Sequence, residues 1–379
     1  MLDRKTVILQ CAREIHCSGG VAQVAWQLEK HFQAMGYQLQ RLSFETLGLK
    51  ARARYSDSMW LSKLWLLWEV VIYTLLGTWR LYRLRKKHPN WVVICHHDIL
   101  GGDIYIDHGL HKALVLSKKS PLRFVLKNPL HIFLLVREEI RHRFGCYKKV
   151  VEFSEPGKQQ LLQYYPKIQA EQICIVPNAV DQDRFAPIPV TREKLRMDLG
   201  LQDCFTLLFV GHEFDRKGLI HVLAALKHLP DKVVLLVIGG NKALIKSYSQ
   251  IAEQYGVANR VKWLGIQTET EKFYNAADVF VMPTSAEAWG LAAIESLSCG
   301  LPILVTPVIG IKEFLHENHN GFFIEQDAKN IAEQVEKLIS NPSLYGKLKN
   351  NARASIAQYC WSDISRQYLT LLQGCESNA

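Results

Sequence analysis

The run Thr206-Leu-Leu-Phe-Val210 is apolar beyond its first residue, stops at Gly211, and leads through a polar loop closed by Gly218 into a helical pattern over 219–229. A strand with no polar alternation is buried on both faces, the condition of a parallel sheet covered by helices on each side. Val233-Val-Leu-Leu-Val-Ile238 repeats the pattern and closes on Gly239-Gly240. A second strand-to-helix unit opens the chain. Its strand spans 7–10, its loop is Cys17-Ser-Gly-Gly-Val21, and its helix runs from Ala22 to Met35 with Val24, Ala25, Leu28 and Phe32 near a period of 3.6.

Strand and helix patterns alternate onward through 261–264, 269–276, 279–282, 291–298 and 303–305, and a last helix is predicted over 361–372. This alternation predicts an α/β protein with two doubly wound, Rossmann-like domains. The expected boundaries are 1–180, 181–358 and a terminal helix over 359–379 that returns to the first domain. A polar, Pro-bearing linker is expected from Val176-Pro-Asn-Ala-Val-Asp181 through Pro187 and Pro189 to about Asp203.

The length of 379 residues suits two domains. With 46 Lys and Arg against 36 Asp and Glu, the net charge is +10, which suggests an anionic partner. Residues 80–149 hold 15 basic and 5 acidic residues, so this one segment carries the whole excess. Nine cysteines without a C-x-x-C pair indicate neither a disulfide framework nor a zinc ribbon, and a reducing, cytoplasmic compartment is expected. The short apolar run over 6–12 reads as a first strand, not as a secretion signal.

Two stretches carry chemistry. Glu287-Ala-Trp-Gly-Leu-Ala-Ala-Ile-Glu295 sets two carboxylates across a loop-to-helix junction near Gly290. A helix start leaves N–H groups unpaired and suits a diphosphate, while carboxylates accept from paired hydroxyls. In Phe209-Val-Gly-His-Glu-Phe-Asp-Arg-Lys-Gly218, Arg216 and Lys217 follow a buried strand, where two cations can neutralise a departing diphosphate. Taken singly, solvated charges explain either stretch.

In order and spacing, these motifs resemble the retaining GT-B glycosyltransferases of family 4, which include lipopolysaccharide, capsule and phosphoinositol mannoside transferases. The resemblance runs from Ser18-Gly19-Gly20 through Ile175–Asp181 with Phe185, Phe209–Gly218 and Glu287–Glu295 to Tyr359-Cys-Trp-Ser362. It implies two domains facing across a cleft, with the nucleotide-sugar in the C-terminal one and the acceptor in the N-terminal one. It further implies that Gly19, Gly20 and Gly211 approach the donor diphosphate, that Arg216 and Lys217 pair with it, and that Glu287 holds the transferred sugar. Glu295 would take the ribose, Gly265 and Ile266 would lie beside the base, and Ala288, Trp289, Gly290 and Leu291 would offer backbone N–H groups. Ala179 and Ala288 depart from the family's usual Gly and Pro.

A histidine after an N-terminal-domain strand faces the donor sugar in that family. Ile104-Tyr-Ile-Asp-His-Gly109 makes His108 the first choice, with His111, His97 and His96 behind it. The competing use of these histidines is a zinc site, but no ligand spacing supports it and no metal is expected. The donor is expected to be a UDP-sugar, by the family's common usage. A dinucleotide fingerprint is absent, since Ser18-Gly19-Gly20-Val-Ala-Gln23 lacks a third glycine, and no nucleic-acid motif appears.

The segment 64–79 is the most apolar in the chain, but its 16 residues include Glu69 and would span about 24 Å as a helix. It is therefore not expected to cross a bilayer, and a buried domain helix is the reading preferred to insertion. With Trp65, Trp68, Trp79 and the basic residues that follow, segment 64–149 reads as a peripheral, membrane-facing surface on the cytoplasmic side of the plasma membrane. The expected function is sugar transfer with retention to a hydroxyl of a bacterial surface glycan or its lipid-linked precursor. A small soluble acceptor such as a sugar phosphate, or a nucleotide-binding module without transfer, are the alternatives.

Overall fold

The structure, a computed structural model, describes residues 2–17, 19–50 and 59–376. It divides into two compact units, Met1–Asn178 with Trp361–Ala379, and Ala179–Cys360. Ser18 of the first glycine loop lies outside the described residues.

The first unit holds a parallel six-stranded sheet. Its strands are β1 (Val7–Cys11), β2 (Gln38–Leu42), β3 (Val92–His96), β4 (Ile104–Ile106), β5 (Lys149–Glu152) and β6 (Ile173–Ile175), in the order β2-β1-β3-β4-β5-β6. Strand order reverses between β1 and β3, the switch point of this sheet. Val93, Cys95, Val150 and Tyr105 bury themselves against Tyr73 and Leu81. The terminal helix Trp361–Glu376 packs on the helix Gly20–Ala34 and buries Ile364, Tyr368 and Leu372.

The apolar segment is longer than the sequence indicates. It lies in a continuous helix, Met59–Lys87, of which Lys63–Lys87 is long and apolar enough to cross a membrane by length and composition. The length argument against crossing therefore fails, because the basic residues after Trp79 continue the helix instead of ending it. One face of this helix belongs to the unit's interior. Glu69, Tyr73 and Thr74 are buried, the Tyr73 hydroxyl donates to Leu42 O, and Arg137 donates to the Thr74 hydroxyl at 3.1 Å.

The basic segment is also less uniformly exposed than its charge count suggests. Arg137 and Arg141 are buried; Arg137 pairs with Asp98 at 2.8 Å and Arg141 donates to the Tyr105 hydroxyl at 3.0 Å. Arg85 and Lys148 both meet Asp103. Arg80, Arg83, Lys86, Lys87, Lys119, Arg123, Lys127 and Arg143 remain exposed.

The second unit holds another parallel sheet: β7 (Phe205–Val210), β8 (Val233–Ile238), β9 (Val261–Gly265), β10 (Val279–Met282), β11 (Ile303–Val305) and β12 (Gly321–Phe323), ordered β12-β11-β10-β7-β8-β9. Its core joins Leu207, Phe209, Leu235, Val237 and Val281 to the helices over 219–226 and 328–340. The expected linker is no linker beyond Pro189. Pro189–Asp198 is a helix, from which Arg192 and Arg196 clamp the Asp278 carboxylate at 2.5 and 3.1 Å. No residue of that helix is buried and its composition is polar, so it reads like a linker from composition alone.

Candidate functional site

In the second unit the strand order reverses between β7 and β10, and the loops that leave the carboxyl ends of these neighbours lie side by side. The loop after β7 contains one helical turn, Phe214–Lys217, closed by Gly218 in the left-handed region at φ 77°. A Cβ on Gly218 would lie 2.1 Å from Pro283 O, so only glycine lets this loop press on the one after β10. Ser285 N–H then donates to Arg216 O at 2.8 Å and stitches the loops together.

This contact brings three of the sequence-predicted residues to one point. Glu287 Oε1 accepts from Arg216 at 3.0 Å and from Lys217 at 3.2 Å. Arg216 is held further by the Glu213 carboxylate at 2.8 Å and by Ala286 O. Burial pushes the Glu287 carboxyl up, but the Lys217 ammonium and the Arg216 guanidinium outweigh it and hold the group below the ordinary carboxylate range. Burial likewise opposes the Arg216 charge, and Glu287 with Glu213 more than restores it. Gly211 serves the same geometry: a Cβ there would fall 2.1 Å from Lys217 Cδ, so the lysine stem lies across bare backbone.

Beyond Glu287 the chain turns into the helix Leu291–Ser298, with Gly290 as its N-cap at φ 91°. Trp289 is buried, and a Cβ on Gly310 would lie 2.2 Å from Trp289 Cα. The backbone over Ala288 to Leu291 is thus fixed, and the first N–H groups of the helix emerge at a defined place. Glu295, one turn in and buried, accepts from the Tyr274 hydroxyl at 2.9 Å. Gly265 ends β9 in the left-handed region at φ 64°, and its carbonyl accepts from Gly239 N at 2.7 Å. Ile266 beside it is 60% exposed, an apolar surface at the carboxyl edge of the sheet.

Gly19, Gly20 and His108 belong to the first unit. Gly19 caps the helix Gly20–Ala34 at φ 85°, and a Cβ on either glycine would meet nothing within 4 Å, so their backbone is open to a ligand. His108 follows β4, with Phe153 packed edge-on at 5.5 Å between ring centroids. Its Nε2 lies 3.2 Å from His96 Nδ1. Burial lowers the His108 pKa to about 4, so the ring is neutral at neutral pH. His111 pairs instead with His131 at 3.1 Å. Among the described residues no group of three or more His, Cys, Asp and Glu is placed to hold a metal ion.

Sequence reasoning missed two parts of this machinery. Gln10 stands behind His96, itself one of the histidines the sequence offered, and the signal was a polar residue inside the otherwise apolar strand Val7–Cys11. Asp107 and Glu152 form a buried carboxyl pair beside the same loop, with burial and mutual repulsion pushing the Glu152 carboxyl up. No local pattern announces that pairing, since the two residues come from neighbouring strands.

Comparison with known proteins follows the same division. Residues 191–355 match the family described as Glycosyl transferases group 1. The D-inositol 3-phosphate glycosyltransferase of Xylanimonas cellulosilytica is 30% identical over 213 residues, 52% of this chain and 50% of that protein. The chain thus spans about half the length of that relative. The lipopolysaccharide glucosyltransferase WaaG of Escherichia coli is 24% identical over 277 residues, 71% of this chain and 73% of WaaG. A crystal structure of WaaG matches the fold with a TM-score of 0.77 at 19% identity, covering 97% of this chain and all of that one. Anabaena HepE, solved with UDP and glucose, matches with a TM-score of 0.71 at 16% identity, covering 97% of this chain and 100% of HepE.

Proposed function

We propose that this chain, whose residues 191–355 match the Glycosyl transferases group 1 family and whose fold matches GT-B structures, transfers a sugar from a nucleoside-diphosphate donor, a UDP-sugar by preference, to a hydroxyl of a bacterial surface glycan or its lipid-linked precursor. The observation that carries the reading is the Arg216–Lys217–Glu287 cluster, two cations and one carboxylate at the switch point of the C-terminal sheet. The HepE complex with UDP and glucose, together with the lipopolysaccharide and inositol-phosphate activities in the relatives' names, supports it.

Breaking the bond between a sugar and a diphosphate puts negative charge on the leaving phosphate and positive character on the anomeric carbon. Arg216 and Lys217 neutralise the first charge, and the N–H groups at the start of helix Leu291–Ser298 add to it. Glu287, kept ionised by those same cations, accepts from sugar hydroxyls, and Glu295 accepts from the ribose. In the C-terminal unit Gly211 lets backbone approach the phosphates and Gly265 and Ile266 flank the base; in the N-terminal unit Gly19 and Gly20 offer open backbone and His108 meets a sugar hydroxyl. The C-terminal domain thus binds the donor and the N-terminal domain the acceptor. Transfer proceeds with retention, the acceptor hydroxyl attacking from the face the diphosphate leaves. Incubation with a panel of nucleotide sugars and a lipid-linked or glycan acceptor tests this: acceptor-dependent release of one nucleoside diphosphate is expected, and no release from any donor contradicts it.

The acceptor side is proposed to lie against the cytoplasmic face of the membrane. On helix Met59–Lys87 the exposed Leu64, Trp68, Leu75, Trp79 and Tyr82 recur at helical spacing, with Arg83 over the Trp79 ring and Lys86 over the Tyr82 ring. Exposed apolar and basic residues so interleaved suit an anionic lipid interface. A groove of about 500 Å³ in the same unit is lined by Leu116, Val136, Ile140 and Phe144 together with Lys112, Glu139 and Arg143.

A further inference from the structure

The N-terminal unit contains a chain of hydrogen bonds whose proton positions follow from valence alone. Gln10 lies on β1, fully buried in a strand whose other inward residues are apolar. Its Nε2 donates to Ala25 O at 2.9 Å. A carbonyl oxygen can only accept, so this contact fixes the amide's orientation and leaves Oε1 as the atom facing His96 Nε2 at 2.9 Å. An amide oxygen also only accepts. His96 must therefore carry its proton on Nε2.

Full burial keeps His96 neutral, well below the ordinary histidine range. The carboxylate that acts on it, Asp98, is held by the buried Arg137 at 2.8 Å, and Arg141 is spent on Tyr105 and His97 O. A neutral imidazole with a proton on Nε2 has a bare lone pair on Nδ1. That lone pair lies 3.2 Å from His108 Nε2, and two lone pairs cannot bond. His108 must accordingly present Nε2–H toward His96, which leaves its own Nδ1 as an acceptor.

We propose that Gln10 and His96 are positioning residues that fix the tautomer of His108, so that His108 offers Nδ1 as a hydrogen-bond acceptor to a sugar hydroxyl. The inference rests on the reading of His108 as the sugar-facing histidine and sharpens it: the ring accepts from a hydroxyl and does not donate to a ring oxygen or a carbonyl. A substrate in which that hydroxyl is replaced by hydrogen or fluorine loses the contact, whereas one that keeps it is selected.

Long-range nitrogen–proton correlation spectra of the full chain, labelled with ¹⁵N-histidine and assigned through the His96→Asn and His108→Ala variants, read the tautomers directly. The expected result is a protonated Nε2 and a bare Nδ1 in both rings. Gln10→Met, close in volume but without the amide, and His96→Leu should each leave His108 as a mixture of tautomers and lower kcat about 10-fold. His96→Asn, whose amide oxygen can still accept from His108, should restore both the tautomer and most of the rate. A proton on Nδ1 of His108 in the wild-type protein overturns the proposal irrespective of what the enzyme transfers. Full turnover by His108→Ala with the wild-type tautomers as expected fails differently, since it removes the sugar contact and not the hydrogen-bond chain.

Discussion

Lys217 and Glu287 meet at 3.2 Å, and the same carboxylate oxygen accepts from Arg216 at 3.0 Å, so one anion holds both cations in place. Preorganised charge costs no rearrangement during the reaction, which is how fixed groups contribute most to catalysis. On the proposed function, a diphosphate would compete with Glu287 for these partners.

Separating these two roles of Glu287 is possible by substitution. Glu287→Gln keeps the shape, removes the competing charge and weakens the grip on sugar hydroxyls. Nucleoside diphosphate affinity, measured by calorimetry, should rise several-fold while transfer falls about 100-fold or more. A parallel loss of both would show that the carboxylate serves only to hold the loop.

Two glycines of one loop should respond in opposite ways. Gly211→Ala meets only the flexible Lys217 stem, so melting should change little while nucleotide affinity falls. Gly218→Ala meets Pro283 O and a left-handed backbone, and should cost about 2–4 kcal/mol in denaturant titrations.

Acid should weaken the N-terminal unit. Burial lowers His96 and His97 well below the ordinary 6.5, His108 and His111 to about 4, and His142 to about 3. The unfolded chain therefore binds more protons than the folded one between pH 6.5 and about 4, so stability rises with pH across that window and is lost as pH falls through it. Urea midpoints from pH 7 to pH 4.5 measure this, and replacing His142 by Phe should flatten the slope.

The clamp on Asp278 is structural. Asp278→Ala strands Arg192 and Arg196 and frees Thr206 N–H, which otherwise donates to it at 2.8 Å. A cost of about 2–4 kcal/mol is expected, with nucleotide affinity in the remaining folded protein unchanged.

Sedimentation with anionic vesicles checks the lipid surface. Replacing Trp68 and Trp79 with Ser should weaken binding at low salt, and adding salt should weaken it further. Equal binding by neutral and anionic vesicles would refute the charge argument.

The α/β fold was legible because buried parallel strands such as Val233–Ile238 are continuous apolar runs, and no solvent-facing alternation blurs them. The Glu287 and Arg216 motifs were legible because the residues that hold their geometry, Gly211, Gly218 and Gly290, lie within a few positions of the chemistry. What escaped was set by contacts distant in sequence. Gln10 meets His96 only because β1 pairs with β3, and the polar helix Pro189–Asp198 is tied to its unit by arginines that reach Asp278. The length of the helix through Trp79 was underread for another reason: arginine and lysine are good helix formers, so charge there marks a change of surface and not an end.

The central claim is that the paired cations after β7 receive a nucleotide's diphosphate. Calorimetric titration of UDP, GDP and ADP into the wild-type protein and into Lys217→Ala tests it most directly. The account predicts saturable binding of one nucleotide, weakened at least 10-fold in the variant and restored in part by Lys217→Arg. Equal affinity in all three proteins, or none for any nucleotide in the wild type, would contradict it.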